Sequence, residues 1–397
     1  VLGGCIDFAA PPTAVDGNAL DSVDAACAPG AARATCEVCD GDGRWVGCPW
    51  GCDEVGACLP ATSLAAGRRH LCVATAGAVS CWTDAGAPWP SATALELPGA
   101  ASVDELASGA DHVCLRAGGD VYCVGDNDVG QCGQDPGARL TAPARVPLPA
   151  PAEAVFGGFG DTSCARLDDG GLWCWGAALD GQDALAEGAA ATAPSSIGTT
   201  GAPEVVTVGG AHACSITDGA VACWGDNAFG QLGTGDGEDR AEPTPVPGLA
   251  EGVTAIAAGH QHTCAVTANE RLWCWGHNAS AQAGQGASRQ ILETPVAKGI
   301  ATATALSALA LGERHTLILD ESGVIRCFGA NDLTECGSAA ASGRYVKTVS
   351  GLPAAATVAT GWRFACALDT EGRLWCWGAS PDQSAPTGAT PHLVVSP

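Results

Sequence analysis

Histidine and cysteine are the side chains in this sequence whose type and spacing suit chemistry. Five of the eight histidines, His70, His112, His212, His262 and His315, share one phase of a recurring pattern. A symmetric set of that kind is the arrangement a ring of metal ligands would need. The simpler reading is a repeated packing residue whose ring nitrogens bond backbone in its own repeat. His260, His277 and His392 stand outside the phase. The 22 cysteines are more ordered still. One series falls at Cys72, Cys114, Cys164, Cys214, Cys264 and Cys366, and a partner follows nine or ten residues later at Cys81, Cys123, Cys174, Cys223, Cys274 and Cys376. Zinc takes four converging ligands, whereas these positions come in twos. No Ser/His/Asp order, paired carboxylate motif, phosphate loop or cofactor fingerprint appears. The expectation is a non-enzymatic chain with no catalytic residue, no metal and no cofactor.

The elements that position these cysteines are legible in copy four, Cys214-Ser-Ile-Thr-Asp-Gly-Ala-Val-Ala-Cys223. Asp218-Gly219 at its centre is the signal of a two-residue type I′ turn, because both positions need positive φ. Counting outward, Thr217 faces Ala220, Ile216 faces Val221, Ser215 faces Ala222 and Cys214 faces Cys223. Bonded and non-bonded pairs alternate in such a ladder, which places the two cysteines at a close, non-hydrogen-bonded site. A disulfide can form there. Six bonds are therefore predicted: 72–81, 114–123, 164–174, 214–223, 264–274 and 366–376. Each closes a loop of about ten residues, contributing roughly 2–3 kcal/mol on the chain-entropy model. Copy six has Leu317 in place of its first cysteine, while Cys336 lies nine residues beyond Cys327. A compensating 327–336 bond is expected. Cys132 holds the position of Cys336 in copy two, and is expected to be free or bonded to the N-terminal module, with Cys5 a candidate partner.

Strand alternation puts Trp173 and Trp175 opposite Cys174. A strand with large apolar groups on both faces is covered on both sides. Sheets of roughly 50 residues stacked face to face in a closed ring meet that demand, which is the β-propeller solution. Seven copies give an all-β, seven-bladed β-propeller preceded by a small disulfide-rich module. Copies reading Gly-x-x-His-x-Cys, then Trp-Cys-Trp-Gly, then Asp226-Asn227-Ala-Phe-Gly230-Gln231-Leu232-Gly233 resemble the repeat of the regulator of chromosome condensation family (RCC1-like). The resemblance implies a seven-bladed propeller, and the paired cysteines are similar to those of its secreted or lipoprotein bacterial branch. Phe159 departs from the repeat's glycine, and Thr162 and Phe364 from its histidine. No catalytic residue is implied.

Residues 1–26 read as a tether or docking arm, 27–61 as a cysteine-rich module and 62–397 as the propeller. Leu2-Gly3-Gly4-Cys5 resembles a lipobox, which makes Cys5 a lipidation candidate. The alternative is a disulfide cysteine near a flexible terminus. Cys27, Cys36, Cys39, Cys48, Cys52 and Cys58 sit among few aliphatics, so this segment needs staples. Three disulfides are expected, with zinc at Cys36/Cys39/Cys48/Cys52 as the rival. Asp40-Gly-Asp42 and Gly235-Asp-Gly-Glu-Asp239 are acidic turns in which a weak cation site is the rival reading. Asn278-Ala-Ser280 forms a glycosylation sequon. The segment Thr390–Val395 is expected to pack on blade one near Ala61–Gly67 and close the ring.

A net charge of −25 disfavours nucleic acid and anionic membrane surfaces, which call for basic patches. Membrane contact is expected only through a lipid on Cys5. The cysteine content points to an oxidising, extracytoplasmic setting, secreted or on the cell surface. The chain contains no methionine, and removal of a signal peptide is the expected reason. Longer links at 83–106, 133–157, 177–205, 232–254, 279–305 and 330–356 are expected to supply variable surface loops. The leading functional expectation is an extracellular or surface-anchored propeller that binds a protein or glycan. The alternative is a structural subunit whose N-terminal arm docks on further copies to build an extracellular filament or surface layer.

Overall fold

The computed structural model describes residues 61–75, 78–83, 93–95, 102–177, 191–286, 289–299, 305–338, 343–379 and 390–394, with the backbone of three short strands before them. Two compact units divide the chain, Val1–Cys58 and Leu59–Pro397. In the first, Ala32–Arg33, Glu37–Cys39 and Trp45–Gly47 pair in chain order as an antiparallel sheet. Cys5, Cys27, Cys36, Cys48, Cys52 and Cys58, the side chain of Cys39 and the Asp40–Gly43 turn lie outside the described residues.

The second unit is a seven-bladed propeller of seven four-stranded antiparallel sheets, with no helix among the described residues. Strands run in chain order from the axis outward. Blade four, for example, consists of Val205–Val208, His212–Thr217, Ala220–Gly225 and Arg240–Pro245. The hairpin inside it follows from its turn: Asp218 and Gly219 have φ of 52° and 74°, and Cys214 stands directly opposite Cys223. Six such pairs are disulfide-bonded with Cα atoms 4.0–4.1 Å apart, the spacing of a narrow, non-hydrogen-bonded pair. Their sulfurs are buried in the blade cores.

Blade six is built differently. Leu317 faces Cys327 across the hairpin, and Cys327 bonds instead to Cys336, at a Cα separation of 5.3 Å. Cys132 occupies the corresponding place in blade two, where Cys123 is already bonded to Cys114. It is buried and free, with its Sγ 3.3 Å from the Asp126 carbonyl, and burial pushes its thiol up to about 12.

Three of the five in-phase histidines join adjacent blades, and here the expectation is corrected. His112 Nε2 lies 2.7 Å from Ser163 Oγ, His212 Nε2 2.9 Å from Thr263 Oγ1, and His262 Nε2 2.9 Å from Thr316 Oγ1. Each partner is a hydroxyl in the next blade, not backbone in the same one. Thr263 and Thr316 donate onward to the carbonyls of Gln231 and Gln282, so the imidazole Nε2–H donates to them. The hydroxyl sits one place after the histidine position. Ser163, Thr263 and Thr316 stand there in blades three, five and six; blades four and one, whose predecessors lack histidine, carry Ala213 and Leu71, while blades two and seven carry Val113 and Ala365 after His70 and His315, whose Nε2 atoms make no hydrogen bond.

Every such ring lies on the glycine three residues before it. A Cβ on Gly109 would come within 1.8 Å of His112 Cε1, and one on Gly361 within 2.0 Å of Phe364 Cε1. In blade three Thr162 has no ring, which is why Phe159 is tolerated where the other blades have glycine. The two departures from the repeat are a single compensated change. Tryptophans stitch in the reverse direction: Trp175, Trp275 and Trp377 donate Nε1–H to the carbonyls of Gln131, Gln231 and Glu335 in the preceding blade, at 3.1, 2.8 and 2.9 Å.

The described part of the C-terminal segment, residues 390–394, belongs to blade seven and not to blade one. His392–Leu393 pairs with Trp375 and Cys376 as the outer strand of blade seven. Each blade is therefore one contiguous piece of chain, and the ring closes where Ala355–Thr360 of blade seven packs on Ala61–Ala66 of blade one.

Candidate partner-binding face

A four-residue turn, Gly-x-x-His in five blades, Phe159-x-x-Thr162 in blade three and Gly361-x-x-Phe364 in blade seven, connects the inner strand of each blade to its second strand, so seven such turns surround one mouth of the central channel. That channel is a cavity of about 260 Å3 lined by inner-strand residues including Leu64, Leu106, Phe156, Val208 and Leu309. A chain of backbone hydrogen bonds runs round the mouth from blade to blade. Arg68 N donates to Ala110 O, Ala110 N to Gly160 O and Gly160 N to Gly209 O, at 2.8, 2.8 and 3.0 Å. Gly210 N then donates to His260 O, His260 N to Gly312 O and Glu313 N to Trp362 O, at 3.1, 3.3 and 3.3 Å. The turns are held as one rigid rim.

Two positions per turn vary on that fixed rim. The first holds Arg68, Ala110, Gly160, Gly210, His260, Glu313 and Trp362, and the second Arg69, Asp111, Asp161, Ala211, Gln261, Arg314 and Arg363. Trp362 is the centre of the cluster. The Arg68 guanidinium lies 4.7 Å from its ring centroid, a cation–π contact, and the His260 ring packs at 4.8 Å with a 53° tilt. Arg68 and Arg69 each reach Asp111 at 3.4 Å, and Arg363 reaches Glu313 at 3.6 Å. Burial, reinforced by the Arg68 charge, lowers His260 to about 4. It is a neutral imidazole at physiological pH. Burial also raises the carboxyls of Asp161 and Glu313, against the arginines near them.

His260 stood outside the histidine phase, and neither it nor Trp362 nor Arg68 was singled out from the sequence. Their signal is positional, since all three occupy the same place in the Gly-x-x-His turn of different copies. The in-phase histidines are not brought together as a metal ring: His112, His212 and His262 each bond a hydroxyl across a blade boundary. The acidic turn after Gly235 is internally satisfied. Asp236 Oδ1 accepts from Thr234 Oγ1 and Glu238 N, its other oxygen pairs with Arg240, and Asp239 Oδ1 accepts from Asn227 N. The sequon asparagine is equally committed. Asn278 is fully buried, donates Nδ2–H to Arg289 O at 2.6 Å and accepts from Ala283 N at 3.1 Å. In the folded chain its side chain shapes the loop. Asn127, Asn227 and Asn331 accept the equivalent bond from Cys132, Leu232 and Cys336.

Residues 218–266 match the regulator of chromosome condensation (RCC1) repeat, and a second form of that repeat matches 103–131, 253–282 and 355–382. The chain is an RCC1-like repeat propeller. Among curated proteins it is 30% identical over 190 residues to the ultraviolet-B receptor UVR8 of Arabidopsis thaliana, covering 44% of this chain and 40% of the receptor. It is 28% identical over 252 residues to the E3 ubiquitin-protein ligase HERC2 of Homo sapiens, covering 60% of this chain and 5% of the ligase. This RCC1-like chain thus spans less than half the length of either relative. Its fold matches human WBSCR16 with a TM-score of 0.69 at 21% identity, over 77% of this chain and 85% of that one. Yeast RCC1 (Prp20), in its complex with Kap60, matches with a TM-score of 0.67 at 21% identity, over 76% and 77% of the two chains.

Proposed function

We propose that this RCC1-like propeller is a non-enzymatic, extracytoplasmic binding module that engages a protein or glycan through the rim of Gly-x-x-His turns. The observation that carries the reading is the contrast within each turn. Glycine and histidine repeat because they build the blade, while the two residues between them differ from copy to copy on a backbone locked by hydrogen bonds. Divergent side chains on a rigid, convergent scaffold are what recognition requires. Trp362 with Arg68 supplies the aromatic and guanidinium groups that dominate binding energy at interfaces. Among the relatives, yeast RCC1 is bound to Kap60, and Prp20p is described with binding properties toward Gsp1p and histones. Those examples support a protein as the partner class.

The seven disulfides among the described residues support an oxidising compartment, with a secreted or surface-held protein as the consequence. The test is capture from the native extracellular fraction and from a glycan array, comparing the wild type with Trp362→Ala/Arg68→Ala and with Asp169→Ala/Glu270→Ala at the hairpins on the opposite face. Loss confined to the rim variant is expected. A ligand released equally by the hairpin variant, or by neither, would remove the rim from consideration.

A further inference from the structure

Blade two contains three cysteines, one more than any other blade. Cys114, Cys123 and Cys132 belong to one buried cluster, and each is fully enclosed. Cys114 and Cys123 are joined across the hairpin, which leaves Cys132 as the thiol among them.

Blade six shows what a cysteine at this place does when the hairpin leaves its strand neighbour unpaired. Cys336 follows Cys327 by nine residues, as Cys132 follows Cys123, and the blade six pair is bonded. The two loops are built alike. Cys132 N–H donates to Asn127 Oδ1 at 3.0 Å, and Cys336 N–H to Asn331 Oδ1 at 2.7 Å. Gly133 N–H donates to Gly130 O and Gly337 N–H to Thr334 O, both at 2.8 Å. The two glycines take φ of 68° and 59°. In both blades the ladder to the outer strand shifts register just after the strand cysteine. Each loop sulfur lies beside the carbonyl six residues earlier, Cys132 Sγ 3.3 Å from Asp126 O and Cys336 Sγ 3.8 Å from Ala330 O. Cys132 therefore stands where blade six supports a bond to the strand. Blades four and five hold Leu232 and Ala283 at that place.

We propose that blade two has two disulfide isomers, 114–123 and 123–132, interconverted by attack of Cys132 on Cys123. Cys132 gives its proton to hydroxide, and its thiolate attacks Cys123 Sγ. The 123–132 bond forms as the 114–123 bond breaks, and the departing Cys114 thiolate takes a proton from water. One disulfide and one thiol are present before and after, so neither oxidant nor reductant enters. The slot left to reduced Cys114 is the one that Leu317 fills in blade six, fully buried, and it suits a neutral thiol. Ser163, the bridging partner of His112, has its Oγ 3.5 Å from Cys114 Sγ, within reach to donate to the departing thiolate. Burial raises the Cys132 thiol to about 12, with the Asp126 carboxylate reinforcing that shift and the Arg139 guanidinium opposing it. Thiolate is therefore scarce near neutrality, and exchange quickens about tenfold per pH unit on the way up.

Exchange moves the staple from the hairpin to the loop, and that loop reaches the rim. Asp126 N–H donates to Asp111 O at 3.0 Å, and Asp111 is the carboxylate that Arg68 and Arg69 approach. The chemistry itself involves blade two alone, so it stands or falls separately from the binding function.

Thiol mapping of the intact, oxidised protein tests the proposal. Folded samples held at about pH 5 and about pH 9 are quenched in acid, unfolded, alkylated with an acid-active reagent and mapped by mass spectrometry. At the lower pH the label is expected to stay on Cys132. At the higher pH a share is expected to pass to Cys114 as a 123–132 linked peptide appears, at a rate independent of protein concentration. Label confined to Cys132 at both pH values, with 114–123 intact, overturns the proposal. So does label on Cys123, which marks a 114–132 pair, and so does a rate proportional to concentration, which places the exchange between molecules. Cys114→Leu copies the blade six arrangement and is expected to fold with Cys123 joined to Cys132. Free thiols at both positions in that folded variant would overturn the proposal, and if it does not fold the wild-type map decides.

Discussion

Replacing Thr263 by valine removes one hydroxyl from the boundary between blades four and five and leaves the shape of the side chain intact. In the native structure Thr263 Oγ1 accepts from His212 Nε2 and donates to Gln231 O, each at 2.9 Å, with the threonine and histidine fully buried. Gln231 O keeps a second donor, Trp275 Nε1 at 2.8 Å, and so loses little. The orphaned group is the His212 N–H, and an unsatisfied buried donor costs about 1–3 kcal/mol. Histidine cannot escape by ionising, because burial holds His212 at about 3. The expected loss for Thr263→Val is therefore about 2 kcal/mol. His212→Phe in the same background should restore part of it, since replacing both partners by apolar groups is nearly neutral. The protein already contains that solution: Phe364 lies over Gly361 at the end of the ring, and the next blade offers Leu71. The assay is a double-mutant cycle by denaturant unfolding under oxidising conditions, with the slope checked for constancy. A single-mutant cost below about 0.5 kcal/mol, or additivity of the two changes within about 0.5 kcal/mol, would refute the bridging role.

Two further outcomes follow from the same buried groups. Burial lowers His70 to about 4 and His112, His212 and His315 to about 3, and pushes His262 well down. Their folded values lie below the unfolded value of about 6.5, so the unfolded chain binds more protons and stability falls as pH drops from about 6.5 toward 3. The slope is about 1.4 kcal/mol per pH unit for each histidine. The buried carboxyls of Glu105, Glu313 and Glu335, raised by burial, work in the opposite sense. A denaturation midpoint lower at pH 5 than at pH 7, with a shallower dependence in His315→Phe, is expected; equal midpoints in the wild type would contradict the assignment. The second outcome concerns Cys132, whose thiol burial pushes up to about 12. Alkylation mapped by mass spectrometry should leave it unmodified in the native protein and label it on unfolding, and rapid native labelling would show that blade two is open.

Local spacing determined the blade. Asp218-Gly219 fixes its own turn, the turn fixes the register, and the register puts Cys214 against Cys223, all within ten residues of chain. Seven such copies then leave a closed ring as the way to cover both faces of each sheet. The N-terminal segments were legible only as composition and cysteine spacing.

What passes between blades was not legible. The sequence offered histidines in phase, but a hydrogen bond from His212 to Thr263 joins residues 51 apart, and only the offset between neighbouring sheets decides which hydroxyl it meets. The same offset brings Arg68, His260 and Trp362 together from blades one, five and seven, although nothing local distinguishes them. Asn278, by contrast, is committed within its own loop, where the tripeptide alone reads as a modification signal. Short-range backbone geometry is a property of the neighbouring residues and can be read from them. Contacts across the ring depend on how far each sheet is turned and shifted against the next, and that balance of packing is set by the whole propeller at once.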